Sequence, residues 1–64
     1  MPIITVDMLE GRTAEQKRAL VRELTDVLVR TAAARPETVH VLIRDVPREH
    51  WAVAGELISD RSSG

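Results

Sequence analysis

Sixty-four residues, 44% of them apolar and only Trp51 aromatic, suffice for one small domain over residues 1–64 and exclude a two-domain enzyme. Nine Lys and Arg residues stand against ten Asp and Glu, giving a net charge of -1 with the signs interspersed; no basic stripe exists to neutralise a phosphate backbone, so nucleic acid is not an expected partner. There is no cysteine, which excludes disulfide staples, thiolate nucleophiles and zinc-ribbon sites.

A chain this short buries only about 60% of the surface its unfolded form exposes. Disulfides are ruled out and His40 and His50 lack metal-ligand spacing, so no metal site is expected and oligomerisation is the remedy left for a small core. No apolar run approaches the roughly 20 residues that cross a bilayer, and no signal-peptide core follows Met1. A cytoplasmic protein without a membrane partner is the expectation.

In chain order, Pro2 to Leu9 is β-branched and alternating, with Ile4, Val6 and Met8 on one face and Ile3, Thr5 and Asp7 on the other, which predicts a strand. Glu10-Gly11-Arg12 breaks the pattern. Thr13-Ala14-Glu15-Gln16 has the spacing of a capping box and predicts a helix start. Leu20, Leu24, Val27, Leu28 and Thr31 then form one stripe at helical spacing, carrying the helix to about Ala33. Arg35-Pro36 ends it, because the residue before proline is pushed out of the α region.

Val39 to Asp45 reads as a second strand, with Val39, Val41 and Ile43 facing one way and His40, Leu42 and Arg44 the other. Strand, helix, strand is a right-handed β-α-β unit with parallel strands. The segment from His50 to Ser59 reads as a short hairpin or arm around Gly55, and Asp60 to Gly64 as a frayed polar tail. The predicted fold is therefore α+β: a two-layer β-α-β subunit with a short C-terminal hairpin or arm. Two strands and one helix leave one sheet face and both edges open, which predicts assembly into an oligomer.

General catalytic patterns are nearly absent. The serines Ser59, Ser62 and Ser63 have no nucleophile-elbow context, and no glycine loop suited to phosphate is present. Position 2 is the exception. Removal of Met1, favoured when a small residue follows, leaves a proline secondary amine. A solvated α-amino group titrates at about 7.7–8.0. Desolvation and a nearby cation both favour its neutral form, and a general base works best near the operating pH.

Several stretches together carry a resemblance: Pro2-Ile3-Ile4, Met8-Leu9-Glu10-Gly11-Arg12-Thr13, Glu15-Gln16-Lys17, Pro36-Glu37-Thr38-Val39, and His50-Trp51-Ala52-Val53-Ala54-Gly55-Glu56. Over nearly its whole length the chain resembles the 4-oxalocrotonate tautomerase family. That resemblance implies β-α-β subunits whose dimers form a four-stranded sheet and assemble as a homohexamer, a trimer of dimers. It also implies a cofactor-free enol–keto tautomerase whose partner is a small enol or dienol carboxylate. Pro2 is then the base that takes the enol proton of a 2-hydroxydienoate and returns one to a distal carbon. Arg12 binds the distal carboxylate, for which its planar fork is suited; Trp51 and Leu9 form apolar pocket wall.

His40 departs from the pattern, standing where well-known members of the family carry a second arginine for the carboxylate beside the hydroxyl. Imidazole is mostly neutral at pH 7 and offers one donor where arginine offers a fixed charge. Loss of a preorganised charged donor costs roughly 10²-fold in rate, unless the native substrate lacks that carboxylate. Arg44 or Arg35 are candidate substitutes. The site residues expected on this basis are Pro2 and Arg12 as catalytic groups and Leu9, His40 and Trp51 as substrate contacts. Aromatic catabolism or natural-product biosynthesis is the implied setting. The alternative from another class is a non-catalytic oligomeric scaffold or binding subunit that retains the fold.

Overall fold

The computed structural model describes residues 1–61. Strand β1 spans Ile3–Leu9, helix α1 Ala14–Ala32 and strand β2 His40–Val46. The two strands are parallel, in a register that sets Ile3 opposite His40 and Leu9 opposite Val46. Backbone bonds extend the ladder at both ends: the His40 N–H donates to the Pro2 carbonyl at 3.0 Å and the Glu10 N–H to the Val46 carbonyl at 3.0 Å.

The expected capping box is formed at the start of α1. The Gln16 N–H donates to Thr13 Oγ1 at 3.1 Å, and the Thr13 N–H donates back to Gln16 Oε1 at 2.9 Å. At the other end Ala33 turns into the left-handed region at φ 54°, and the Ala34 N–H closes on the Leu28 carbonyl at 3.2 Å. A left-handed residue reverses the chain after the last helical turn, which stops α1 before Pro36 is reached.

Strand alternation splits the sheet as expected. Ile4, Val6, Met8, Val41 and Ile43 are half-buried, whereas Ile3 and Leu42 on the other face are 59% and 49% exposed. Asp45 shares the parity of Val41 and Ile43, and Lys17 of α1 bonds it, so the half-buried face is the one beneath the helix. The line along α1 that turns inward is Leu20, Val21, Leu24 and Leu28. Val27 and Thr31, expected in the apolar stripe, are exposed. Two strands about 5 Å apart are narrower than a helix about 10 Å across, so one flank of α1 overhangs its support.

Beyond β2, a turn of 3-10 helix at Arg48–His50 leads into a small hairpin of β3, Ala52–Val53, and β4, Glu56–Leu57. Ala54 and Gly55 both have positive φ, 54° and 81°, as a tight two-residue hairpin turn requires. The arm closes on itself through the Ile58 N–H to the Trp51 carbonyl at 2.8 Å and Arg48 Nη2 to the Ile58 carbonyl at 3.2 Å. The frayed tail expected from Asp60 is corrected in part. Asp60 completes a further 3-10 turn, and Arg61 donates its N–H to Ile58 and pairs with Glu56 at 3.4 Å. The rest of that expectation, 62–64, lies outside the described residues.

No described residue is fully buried. The radius of gyration is 15.0 Å, where a compact domain of this length has about 11 Å, and the protomer measures 43 × 24 × 14 Å. The half-buried apolar residues form a layer open on several sides, with no closed core.

Candidate active site

Pro2 lies just ahead of β1, half-buried, with its carbonyl held by His40. By strand parity its ring belongs to the helix side of the sheet, and there it shares a concavity with Met1, Ala33, Ala34, Arg35 and Thr38 at the C-terminal end of α1. The left-handed turn at Ala33 creates this hollow by leading the chain away from the helix end before it returns as β2.

Arg35 was a candidate only by its charge in the sequence; the fold sets it in Pro2's concavity. Its carbonyl accepts from the Thr38 N–H at 2.9 Å and from Thr38 Oγ1 at 2.8 Å, which fixes its backbone. Its side chain is 78% exposed and meets only Glu37, at 3.5 Å, among the described carboxylates. A positive residue immediately before Pro36, at the point where a helix gives way to a strand, was the signal available. Arg44, the other candidate, is on the sheet face away from α1 and 3.9 Å from Asp7.

Leu9 and Arg12 stand at the opposite end of the sheet. Leu9 is the half-buried last residue of β1. Gly11 has φ 124°, a region L side chains rarely adopt, and this turn releases the chain from β1 into the cap of α1. Arg12 is exposed there. Its Nη1 donates to the Leu9 carbonyl at 3.0 Å, and it has no carboxylate partner among the described residues. Trp51 is half-buried at the start of the arm, five residues beyond the end of β2. Because β1 and β2 are parallel, it leaves the sheet from the Leu9 and Arg12 end.

The five expected site residues therefore fall into two groups. Pro2 and His40 share one end, though His40 is exposed on the sheet face opposite to α1. Leu9 and Arg12 hold the other, with Trp51 leaving from it. Six strand steps separate the ends by about 20 Å, which one small molecule does not bridge within a protomer. What the geometry offers chemically is a proline in a hollow beside a cation at one end, and an unneutralised guanidinium beside apolar surface at the other.

The family described as Tautomerase enzyme matches residues 2–61 of the chain. The 2-hydroxymuconate tautomerase of Bacillus subtilis is 48% identical over 60 residues, covering 94% of this chain and 97% of that protein. A crystal structure of a 4-oxalocrotonate tautomerase homologue superposes with a TM-score of 0.92 at 42% identity, covering 97% of this chain and 98% of that one. A subunit of the heterohexameric 4-oxalocrotonate tautomerase of Chloroflexus aurantiacus J-10-fl superposes with a TM-score of 0.88 at 33% identity, covering 94% and 97%. The match spans the whole β-α-β unit and the arm that follows it: the chain belongs to the tautomerase family and is a 4-oxalocrotonate tautomerase-like isomerase.

Proposed function

We propose that the protein is a cofactor-independent enol–keto tautomerase of 2-hydroxydienoates, working as a single tautomerase-like domain in a cytoplasmic homohexamer. The observation that carries this reading is the division of the site between the two ends of the sheet. Pro2 supplies a base at one end, and at the other Arg12, without a carboxylate partner among the described residues, supplies a carboxylate binder. An oligomer in which protomers meet with opposed strand directions brings the Pro2 end of one beside the Arg12 end of the next. The heterohexameric relative supports assembly, and the absence of a closed core in the protomer supports it independently.

In the proposed reaction Met1 has been removed, because a proline nitrogen acylated by Met1 has its lone pair delocalised into the peptide bond. The free amine of Pro2 takes the proton of the enol hydroxyl. The C–O bond becomes a carbonyl, the diene electrons shift along the chain, and the ammonium returns a proton to a distal carbon. The product is the conjugated ketone, and the amine is regenerated. Arg12 of a neighbouring protomer holds the distal carboxylate and draws electron density toward it. Leu9 and Trp51 line that end with apolar surface, which keeps the amine neutral by desolvation. His40 contributes a hydrogen bond to the substrate from a neighbouring protomer. Substrates of this type arise in aromatic catabolism and in natural-product biosynthesis.

The test is ultraviolet-monitored ketonisation of 2-hydroxymuconate by protein whose mass shows Pro2 at the N-terminus, beside the Pro2→Ala variant. A positioned general base is worth about 10²–10⁴-fold, and a fall of that size in kcat is expected. Equal rates for the two proteins would remove the base and leave a scaffold that keeps the fold.

A further inference from the structure

We propose that Arg35 is the substrate-binding cation of Pro2's own protomer, holding the carboxylate next to the enol hydroxyl, so that the substrate class is dienols that retain that carboxylate. This rests on the tautomerase reading and deepens it. Three observations point to Arg35. It lines the same concavity as Pro2, and among the described residues it is the only cationic side chain that does. Its backbone is fixed at both the N–H and the hydroxyl of Thr38, so the side chain leaves from a set position. Its only carboxylate neighbour among the described residues, Glu37, is 61% exposed and 3.5 Å away. Such an exposed pair is weak and exchanges readily for a substrate anion.

His40 is the competing candidate; within the protomer it lies on the sheet face opposite to α1, away from that hollow, so it reaches the substrate only from a neighbouring protomer, whereas Arg35 belongs to Pro2's own. The proton leaves a hydroxyl on the carbon that bears the carboxylate. A guanidinium carried by a residue that lines Pro2's hollow therefore orients the hydroxyl toward the amine by gripping the adjoining group. Its planar fork accepts a carboxylate bidentately, which a neutral imidazole does not.

The test compares wild type, Arg35→Gln, Arg35→Lys, Glu37→Gln and a charge control, Arg30→Gln, which lies on the last turn of α1 and pairs with Asp26. Each is assayed on 2-hydroxymuconate, on 2-hydroxy-2,4-pentadienoate, and on an analogue with methyl in place of the carboxylate beside the enol. Arg35→Gln is expected to raise KM on the first two by roughly 10–100-fold, as loss of a charge-assisted bond does, with kcat changed far less. On the methyl analogue it changes nothing. Arg35→Lys recovers part of the loss. Glu37→Gln lowers KM on both acids by up to about fivefold, because the competing carboxylate is gone; a merely structural role for this loop does not predict a gain.

Unchanged KM in Arg35→Gln, or an equal loss on the methyl analogue, overturns the assignment while Pro2-dependent turnover stands. Turnover that does not depend on Pro2 overturns the tautomerase reading itself, and the assignment with it. An Arg30→Gln effect as large as that of Arg35→Gln reduces the result to net charge and likewise overturns it.

Discussion

The two ends of the parallel sheet are built differently. At the Pro2 end the backbone is held from three sides: by the His40 N–H on the Pro2 carbonyl, by the left-handed turn at Ala33, and by Thr38 on the Arg35 carbonyl. At the Arg12 end a glycine with positive φ and one hydrogen bond to Leu9 leave the guanidinium exposed. One end therefore presets the proposed base, while the other offers a long side chain with no carboxylate partner among the described residues. In the proposed reaction this contrast means that no protomer contains a complete site, and assembly becomes a condition of activity.

The largest effect that can break this contrast comes from mixing. Pro2→Ala and Arg12→Ala protomers are each expected to be nearly inactive. When the two are unfolded and refolded together in equal amounts, random assembly gives about one quarter of the sites an intact Pro2 and an intact Arg12 from different protomers. Activity should return to about that fraction. Continued inactivity of the mixture, with hetero-oligomers shown by mass, would mean that both groups must come from one chain.

Smaller effects sharpen the contrast by loosening one end at a time. Thr13→Ala removes the side-chain half of the capping box beside Arg12 and should cost about 1 kcal/mol of stability, read as a lower Tm at fixed protein concentration. Its KM for a dicarboxylate should rise more than its kcat falls, since the Arg12 end serves binding. Ala33→Gly works at the other end and in the opposite sense. The left-handed conformation costs an alanine roughly 1 kcal/mol that glycine avoids, so Tm should rise slightly. If that backbone relaxation also loosens the Pro2 hollow, kcat will fall while the protein becomes more stable; an unchanged kcat would show that the hydrogen bonds of Pro2 and Thr38 hold the hollow unaided.

The elements were legible in the sequence because their causes are local. Alternation over Ile3 to Leu9 and His40 to Val46 reports a strand whatever surrounds it, the Thr13 and Gln16 pair caps a helix from three residues away, and Gly55 marks a hairpin turn. The stripe on α1 was less legible. Leu20, Leu24 and Leu28 face inward as expected, but Val27 and Thr31 do not, since the width of the sheet beneath decides how far around the helix burial extends. Asp60 and Arg61 looked like loose polar tail, and their order depends on Ile58 and Glu56 being close by.

The sequence by itself determined the β-α-β order, the N-terminal cap of α1, the hairpin and the family, because each is written in residues a few positions apart or in motifs read directly from the chain. Only the tertiary structure decided which chemical groups share an end. Parallel pairing of Ile3 with His40 and of Leu9 with Val46 returns the chain to the side on which it began. That return, set by the length of α1 and by the turn at Ala33, brings Arg35 beside Pro2 across 33 positions of sequence while keeping Arg12, only ten positions away, about 20 Å off.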